Sequence, residues 1–323
     1  LLASSAASDV YKRQGIESSP AKAEQCIFQS KIEIFTCNNE FVFIQSRPAT
    51  NIEHMDEEEK SLEILYRNKK IYATGLGTSV DWEIASDGSG ILWTDFFPVK
   101  EIPAMSFSLP RNELIKDEEL SMKYLSDLGE ADRKTRIDSM TKLVDLYLAW
   151  ISNLEKTAAA LDKRYESAAA KNIADCKRAA ERMNAGIQTL RDNENAYNAF
   201  LLANRAMFMQ RIHIQKQGEM SRENSDIYPD DNKISDWLCN LNYSEENDDN
   251  CKWRPFQIAF LLMDINSIVY ENGEDRSIVD LIWFPTGGGK TEAYLGLTAY
   301  TIFYRRLTYP EHSGGTTVMM RYT

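Results

Sequence analysis

A chain of 323 residues has room for about two domains, and its 43% hydrophobic content is enough to build packed cores. A formal net charge of -12 excludes a protein that holds nucleic acid by bulk charge, so any such contact needs a local basic groove. The five cysteines, Cys26, Cys37, Cys176, Cys239 and Cys251, are odd in number, widely spaced and without a C-x-x-C pair, which argues against a disulfide framework and a zinc site. No apolar run approaches a membrane span and no signal peptide is visible, so the expectation is a cytoplasmic protein with reduced thiols and no membrane partner.

In chain order, residues 1–23 read as a disordered tail. Its first fourteen, Leu1 to Gln14, resemble translated sequencing-adapter read-through and are set aside. Residues 24–128 are rich in strand signals and predict a β-rich domain. Ile27 to Phe35 partly alternates, Phe41 to Gln45 is short and apolar, and Leu62 to Tyr66 with Lys70 to Thr74 flank a hairpin candidate at Arg67-Asn68-Lys69. Val80 to Ile84 and Ile91 to Phe97 follow, separated by the turn Asp87-Gly88-Ser89-Gly90, and Pro98, Pro103 and Pro110 end the run. Gly75-Leu76-Gly77 reads as a turn rather than a nucleotide loop, because a lone G-x-G is common in turns.

Residues 130–216 change character. Apolar positions fall at Ile137, Met140, Val144, Tyr147, Ile151, Leu154, Ala158, Leu161 and Tyr165, in the steps of three and four that a coiled-coil-like seam requires. The pattern resumes out of phase at Ile173, Cys176, Ala180, Met183, Ile187 and Leu190, as a stutter or a turn near 166–172 would produce. The turn is favoured, since one helix of about 60 residues would extend about 90 Å. A third helix over 196–215 completes a helical hairpin or small bundle. The region carries about four net positive charges, with Lys163, Arg164, Lys177, Arg178 and Arg182 among them. A solvated mixed-charge face is the expected use of these residues, and a DNA-tracking or partner surface is the alternative. Residues 217–250 form an acidic linker, in which Trp237, Leu238 and Leu241 could dock a short helix.

The chemistry lies in residues 251–323. Val279 to Phe284 is an apolar run with the length of a buried strand. Pro285-Thr286-Gly287-Gly288-Gly289-Lys290-Thr291-Glu292 follows, and then a helix-length apolar stretch to Leu307. Strand, glycine turn and helix are the context of a phosphate-binding loop. Glycines let backbone N–H groups close around a phosphate, and the first N–H groups of the helix have no intrahelical partner. Lys290 would reach the β- and γ-phosphates of ATP, and the Thr291 hydroxyl would ligate Mg²⁺. Phe284 stands where the strict pattern G-x-x-x-x-G-K-[ST] has its first glycine.

The form Pro-Thr-Gly-x-Gly-Lys-Thr resembles that of superfamily-two helicases, the RecQ type most closely. Trp253-Arg254-Pro255-Phe256-Gln257 stands about 33 residues before Lys290, where those helicases carry an aromatic, an Arg-Pro pair and a glutamine whose amide reads adenine. The resemblance implies that 251–323 opens a RecA-like α/β domain, with Thr316 to Arg321 as its second strand and Arg321, Tyr322 and Thr323 near a nucleic-acid backbone. The whole fold class is then α+β in the N-terminal part, followed by the start of a P-loop domain. More narrowly, the chain resembles the large helicases of the DISARM phage-defence system, on Gly75 to Trp82, Ala203-Asn204-Arg205-Ala206-Met207, Trp253 to Gln257, Trp283 to Leu297 and Met320 to Thr323. That resemblance implies ATP-driven remodelling or translocation of foreign DNA, alongside other defence subunits. The family's acidic Mg²⁺-binding motif, arginine finger and second lobe find no counterpart up to Thr323, so the expectation is a truncated gene whose product does not turn ATP over. The other readings are a different P-loop ATPase of the SMC type, against which the coiled-coil pattern preceding the loop counts, and a non-enzymatic interaction module with a vestigial loop.

Overall fold

The computed structural model describes residues 30–36, 41–46, 55–97, 99, 106–107, 109, 114–223, 240–283, 287–312 and 314–321. Among these residues the chain is α+β, with three strands and six α-helices, and it divides into compact units 1–103 and 104–323. No helix of the described residues is long and apolar enough to cross a membrane.

The first unit holds an antiparallel sheet of β1 (Glu33–Phe35), β2 (Ser79–Ile84) and β3 (Gly90–Asp95), in the order β1-β3-β2. Leu92 faces Ile34 on one side and Trp82 on the other. The β2–β3 turn falls at Asp87–Gly90, where the Asp87 carboxylate accepts from the Ser89 amide and hydroxyl and Gly88 takes a φ of 85°. Gly77, at φ 73°, makes the turn before β2. The expected hairpin at 62–74 does not form. Leu62 to Leu65 lie instead in α1 (Glu57–Leu65). A reciprocal capping box decides this: Glu59 N–H donates to Asp56, Asp56 N–H donates to Glu59, and Glu57 to Glu59 complement the helix dipole. Phe41 to Gln45 and Lys70 to Thr74 also lie outside regular strands.

The second unit is a helical bundle of α2 (Arg133–Ala159), α3 (Glu166–Asp192), α4 (Glu194–Glu223), α5 (Pro255–Val269) and α6 (Lys290–Thr308). The break between α2 and α3 falls at 160–165, a few residues earlier than the phase slip suggests, because Asp162 accepts from the Arg164 amide and caps a short 3-10 turn there. α2 packs on α3, α3 on α5, and α6 on both α4 and α5. The shared core contains Met140, Val144, Ile187, Leu190, Phe200, Phe208, Ile258, Leu262 and Tyr300. The segment 114–129 belongs to this unit: Leu120, Met122 and Leu125 are buried in the core, and Arg136 donates to the carbonyls of Tyr124, Ser126 and Gly129. Helix α4 continues through Glu223, into the expected linker, while Trp237, Leu238 and Cys239 lie outside the described residues, as do residues 1–23, Cys26 and Cys37.

The two strand expectations of residues 251–323 are not met. Val279 to Trp283 and Thr316 to Arg321 form no strand, and Val279, Leu281, Trp283 and Met319 are largely exposed. A buried parallel strand needs partners on both edges and cover on both faces, and no other strand of the second unit is present among the described residues to supply them.

The α3–α5 crossing is set by Gly186, since a Cβ there would lie 2.0 Å from the Leu262 carbonyl oxygen. Gly186→Ala gains about 0.5–1 kcal/mol of helix propensity but drives a methyl into backbone that cannot rotate away, an overpacking cost of about 1–3 kcal/mol. A net loss of stability is expected, read as a lower denaturation midpoint at unchanged slope.

Candidate functional site

The glycine loop sits where α4, α5 and α6 converge. Gly287 and Gly289 have φ of 81° and 79°, a backbone region open to glycine and strained for other residues. Gly289 is the N-cap of α6 and supplies no side-chain cap, so the first amides of the helix keep the anion-binding character of a helix start. Phe284, Pro285 and Thr286, the first part of the motif, lie outside the described residues.

Gln257 joins α5 to this loop. Pro255 occupies the first turn of α5, a position where its missing N–H costs nothing. From the same turn the Gln257 side chain, 4% exposed, accepts from the Arg254 amide at 2.8 Å and donates to the Gly289 carbonyl at 2.7 Å. One amide hydrogen and one acceptor lone pair remain beyond these two bonds. Arg254 donates to the Gly287 carbonyl at 3.4 Å and lies over the Phe107 ring at 4.1 Å.

Trp253 fixes the position of the loop helix. Its indole ring lies against Gly296 of α6, where a Cβ would approach to 2.7 Å, and its N–H donates to Asn204 of α4 at 2.7 Å. Asn204 in turn donates to the Phe200 carbonyl at 2.8 Å, so this buried polar pair is satisfied. Residues 120–122 run beside 251–253, with Met122 N–H donating to the Cys251 carbonyl and Trp253 N–H to that of Leu120. Ser121 also donates to Asp248.

These contacts enclose a cavity of about 460 Å³ lined by Gly287 to Glu292, Gln257, Arg254, Lys252, Arg211 and Met122. Four basic side chains, Arg211, Lys252, Arg254 and Lys290, face it against one acid, Glu292. In so acidic a chain this is a local inversion of charge. The left-handed glycines, the uncapped helix start and the basic donors fit a polyphosphate. Lys290, Thr291, Glu292 and Gln257 are brought together as the sequence pattern expects. Arg211 and Lys252 were not legible as site residues, since neither belongs to a motif. Arg321 is exposed, and Tyr322 and Thr323 lie outside the described residues. Gly75 and Gly77 belong to the other unit.

Behind the loop, Arg182 of α3 forms a bidentate pair with Asp280 at 2.6 and 2.7 Å, with Asp264 at 3.5 Å and Asp275 at 3.7 Å. This clamp holds the chain just before the glycine turn, and it removes Arg182 from any surface role. Lys177 pairs with Glu155, Arg178 with Asp175 and Arg164 with Asp162, so these three basic side chains of the helical region are also internally compensated. Cys176 and Cys251 are free thiols. Among the described residues no cluster of His, Cys, Asp and Glu could hold a metal ion.

No family model matches the chain. It is similar to DISARM protein DrmA of Bacillus paralicheniformis, 36% identical over 270 residues that cover 81% of this chain and 22% of that protein. At that identity over that length the two are related, and the chain spans about a fifth of its relative.

The clamp has a pH signature. Burial, and then the charge of Asp280, raises the Asp264 carboxyl to about 7, while the Arg182 guanidinium holds Asp280 below the ordinary carboxylate range. A raised carboxyl binds its proton more tightly folded than unfolded, so its contribution is full below about pH 4 and is lost as pH rises through about 7. Asp280 contributes in the opposite sense, and its share is lost only in acid below about pH 4. Asp264→Asn should therefore gain melting temperature relative to wild type between pH 5 and pH 8, by about 2–4 °C for each kcal/mol relieved. A constant difference across that range would show that Asp264 does not titrate there.

Proposed function

We propose that this chain is the nucleotide-binding part of an ATP-dependent DNA helicase or translocase that acts in bacterial anti-phage defence, with ATP and Mg²⁺ as its cofactors. The observation that carries the nucleotide reading is the pair of left-handed glycines at the uncapped start of α6, opening on a cavity with four basic side chains. Lys290 supplies a point charge to the β- and γ-phosphates, the backbone of Gly287 to Gly289 closes around them, and the Thr291 hydroxyl is the ligand for Mg²⁺. Mg²⁺ bound there neutralises phosphate charge. The remaining donor and acceptor of Gln257 can read the edge of adenine while its other two bonds keep the loop in place.

The DNA and defence parts of the reading rest on the relation to DISARM protein DrmA and on the helicase-like order of Trp253 to Gln257 before the loop. In this reading α6 and its loop form the phosphate corner of a RecA-like domain, and other defence subunits are partners of the full-length protein.

Calorimetric titration with MgATP tests the nucleotide site. Lys290→Ala should weaken binding about tenfold or more, the loss of one charge-assisted contact. Equal affinity of wild type and variant would overturn the assignment. Base reading is tested separately. Gln257→Ala should lower the ratio of ATP to GTP affinity, whereas an unchanged ratio would reduce Gln257 to an anchor of the loop.

A further inference from the structure

Across the cavity from the glycine loop stands Arg211, which comes from outside the loop and the helix that follows it. It lies on α4, a 30-residue helix, and its neighbours Phe208 and Ile212 are fully buried, so its backbone position is fixed by the core. Its side chain is about one-third exposed and reaches the cavity wall. Two contacts engage its guanidinium: the Asn250 carbonyl at 3.3 Å and a Glu292 carboxylate oxygen at 3.8 Å. Charge-assisted N–H···O bonds at full strength lie near 2.7–2.9 Å. With five N–H donors in a planar fork, Arg211 is oriented by these partners without being saturated.

We propose that Arg211 is a nucleotide-phosphate ligand supplied by α4, and that Glu292 is its resting partner, which a bound phosphate displaces. The inference rests on the nucleotide-binding reading above. Glu292 lies in the first turn of α6, at the same helix start that the phosphate would occupy. An incoming polyphosphate carries more charge than one carboxylate and presents oxygens in the spacing that a guanidinium grips bidentately. Exchange of the Arg211–Glu292 pair for an Arg211–phosphate pair ties α4 to occupancy of the loop, so the helical bundle senses the nucleotide.

The test is calorimetric titration of the full 323-residue chain with MgATP and with inorganic tripolyphosphate at fixed salt, and unfolding curves confirm that each variant folds. Arg211→Gln should weaken both ligands about tenfold or more, with Arg211→Lys intermediate because it keeps charge and loses the fork. Glu292→Gln should tighten both, since it removes a carboxylate that competes for the same guanidinium. If Glu292→Gln instead weakens binding as much as Arg211→Gln does, the pair is a structural strut and the proposal fails. If Lys290→Ala weakens binding while Arg211→Gln matches wild type, the nucleotide site stands and the role of Arg211 falls. No binding of either ligand to wild type would overturn both.

Discussion

The site depends on the seat of Trp253. Its indole lies on Gly296, where no side chain could fit beneath it, and its N–H is bonded to Asn204. One residue thereby locks three helices together: α4 through Asn204, α6 through Gly296, and α5, which begins two residues later. The distance from Arg211 to the glycine loop follows from that lock. A bulky residue at position 296 would push the indole out, expose the Asn204 amide without its partner, and part α4 from α6. Burial and hydrogen bonding reinforce each other here, because the polar end of a large apolar ring is satisfied in the same place as its face is covered.

Charge is segregated by the same packing. The chain is strongly acidic, yet its convergent cavity is basic. Several other cations are neutralised near their own position: Arg182 is ringed by Asp264, Asp275 and Asp280, Lys177 pairs with Glu155 and Arg178 with Asp175. The buried clamp is unlike those surface pairs. An Arg with one bidentate carboxylate and two more distant ones is over-supplied with negative charge, and Asp264 is raised first by its burial and then by the charge of Asp280. Removing either partner of such a pair leaves a buried charge uncompensated, which costs more than the pair itself contributes. The clamp therefore fixes the run-in to the glycine turn more than it stabilises the molecule.

Much of this was legible from sequence. The helical seam of 137–190 appears as α2 and α3, and Gly287 and Gly289 adopt left-handed turn backbone, as a run of glycines suggests. Pro255 and Gln257 start α5 as their residue types suggest. These features are local: periodicity, capping and left-handed turns are set by residues within about one helical turn of each other. The misread hairpin at 62–74 is a local error too, in which the Asp56–Glu59 capping box outweighs a short apolar run.

Sequence alone determined the glycine turn at 287–289 and the order of the helices around it, since each is written in a few adjacent residues. Tertiary structure alone decided that Arg211, Lys252 and Met122 line the same cavity, that Arg182 is a buried clamp rather than a surface cation, and that the apolar run Val279 to Trp283 forms no strand. The reason is physical. A side chain's own sequence fixes which face of its helix it occupies, but which faces meet depends on packing between segments far apart in the chain. A strand, unlike a helix, has no hydrogen-bond partners within itself and exists only when another segment supplies them.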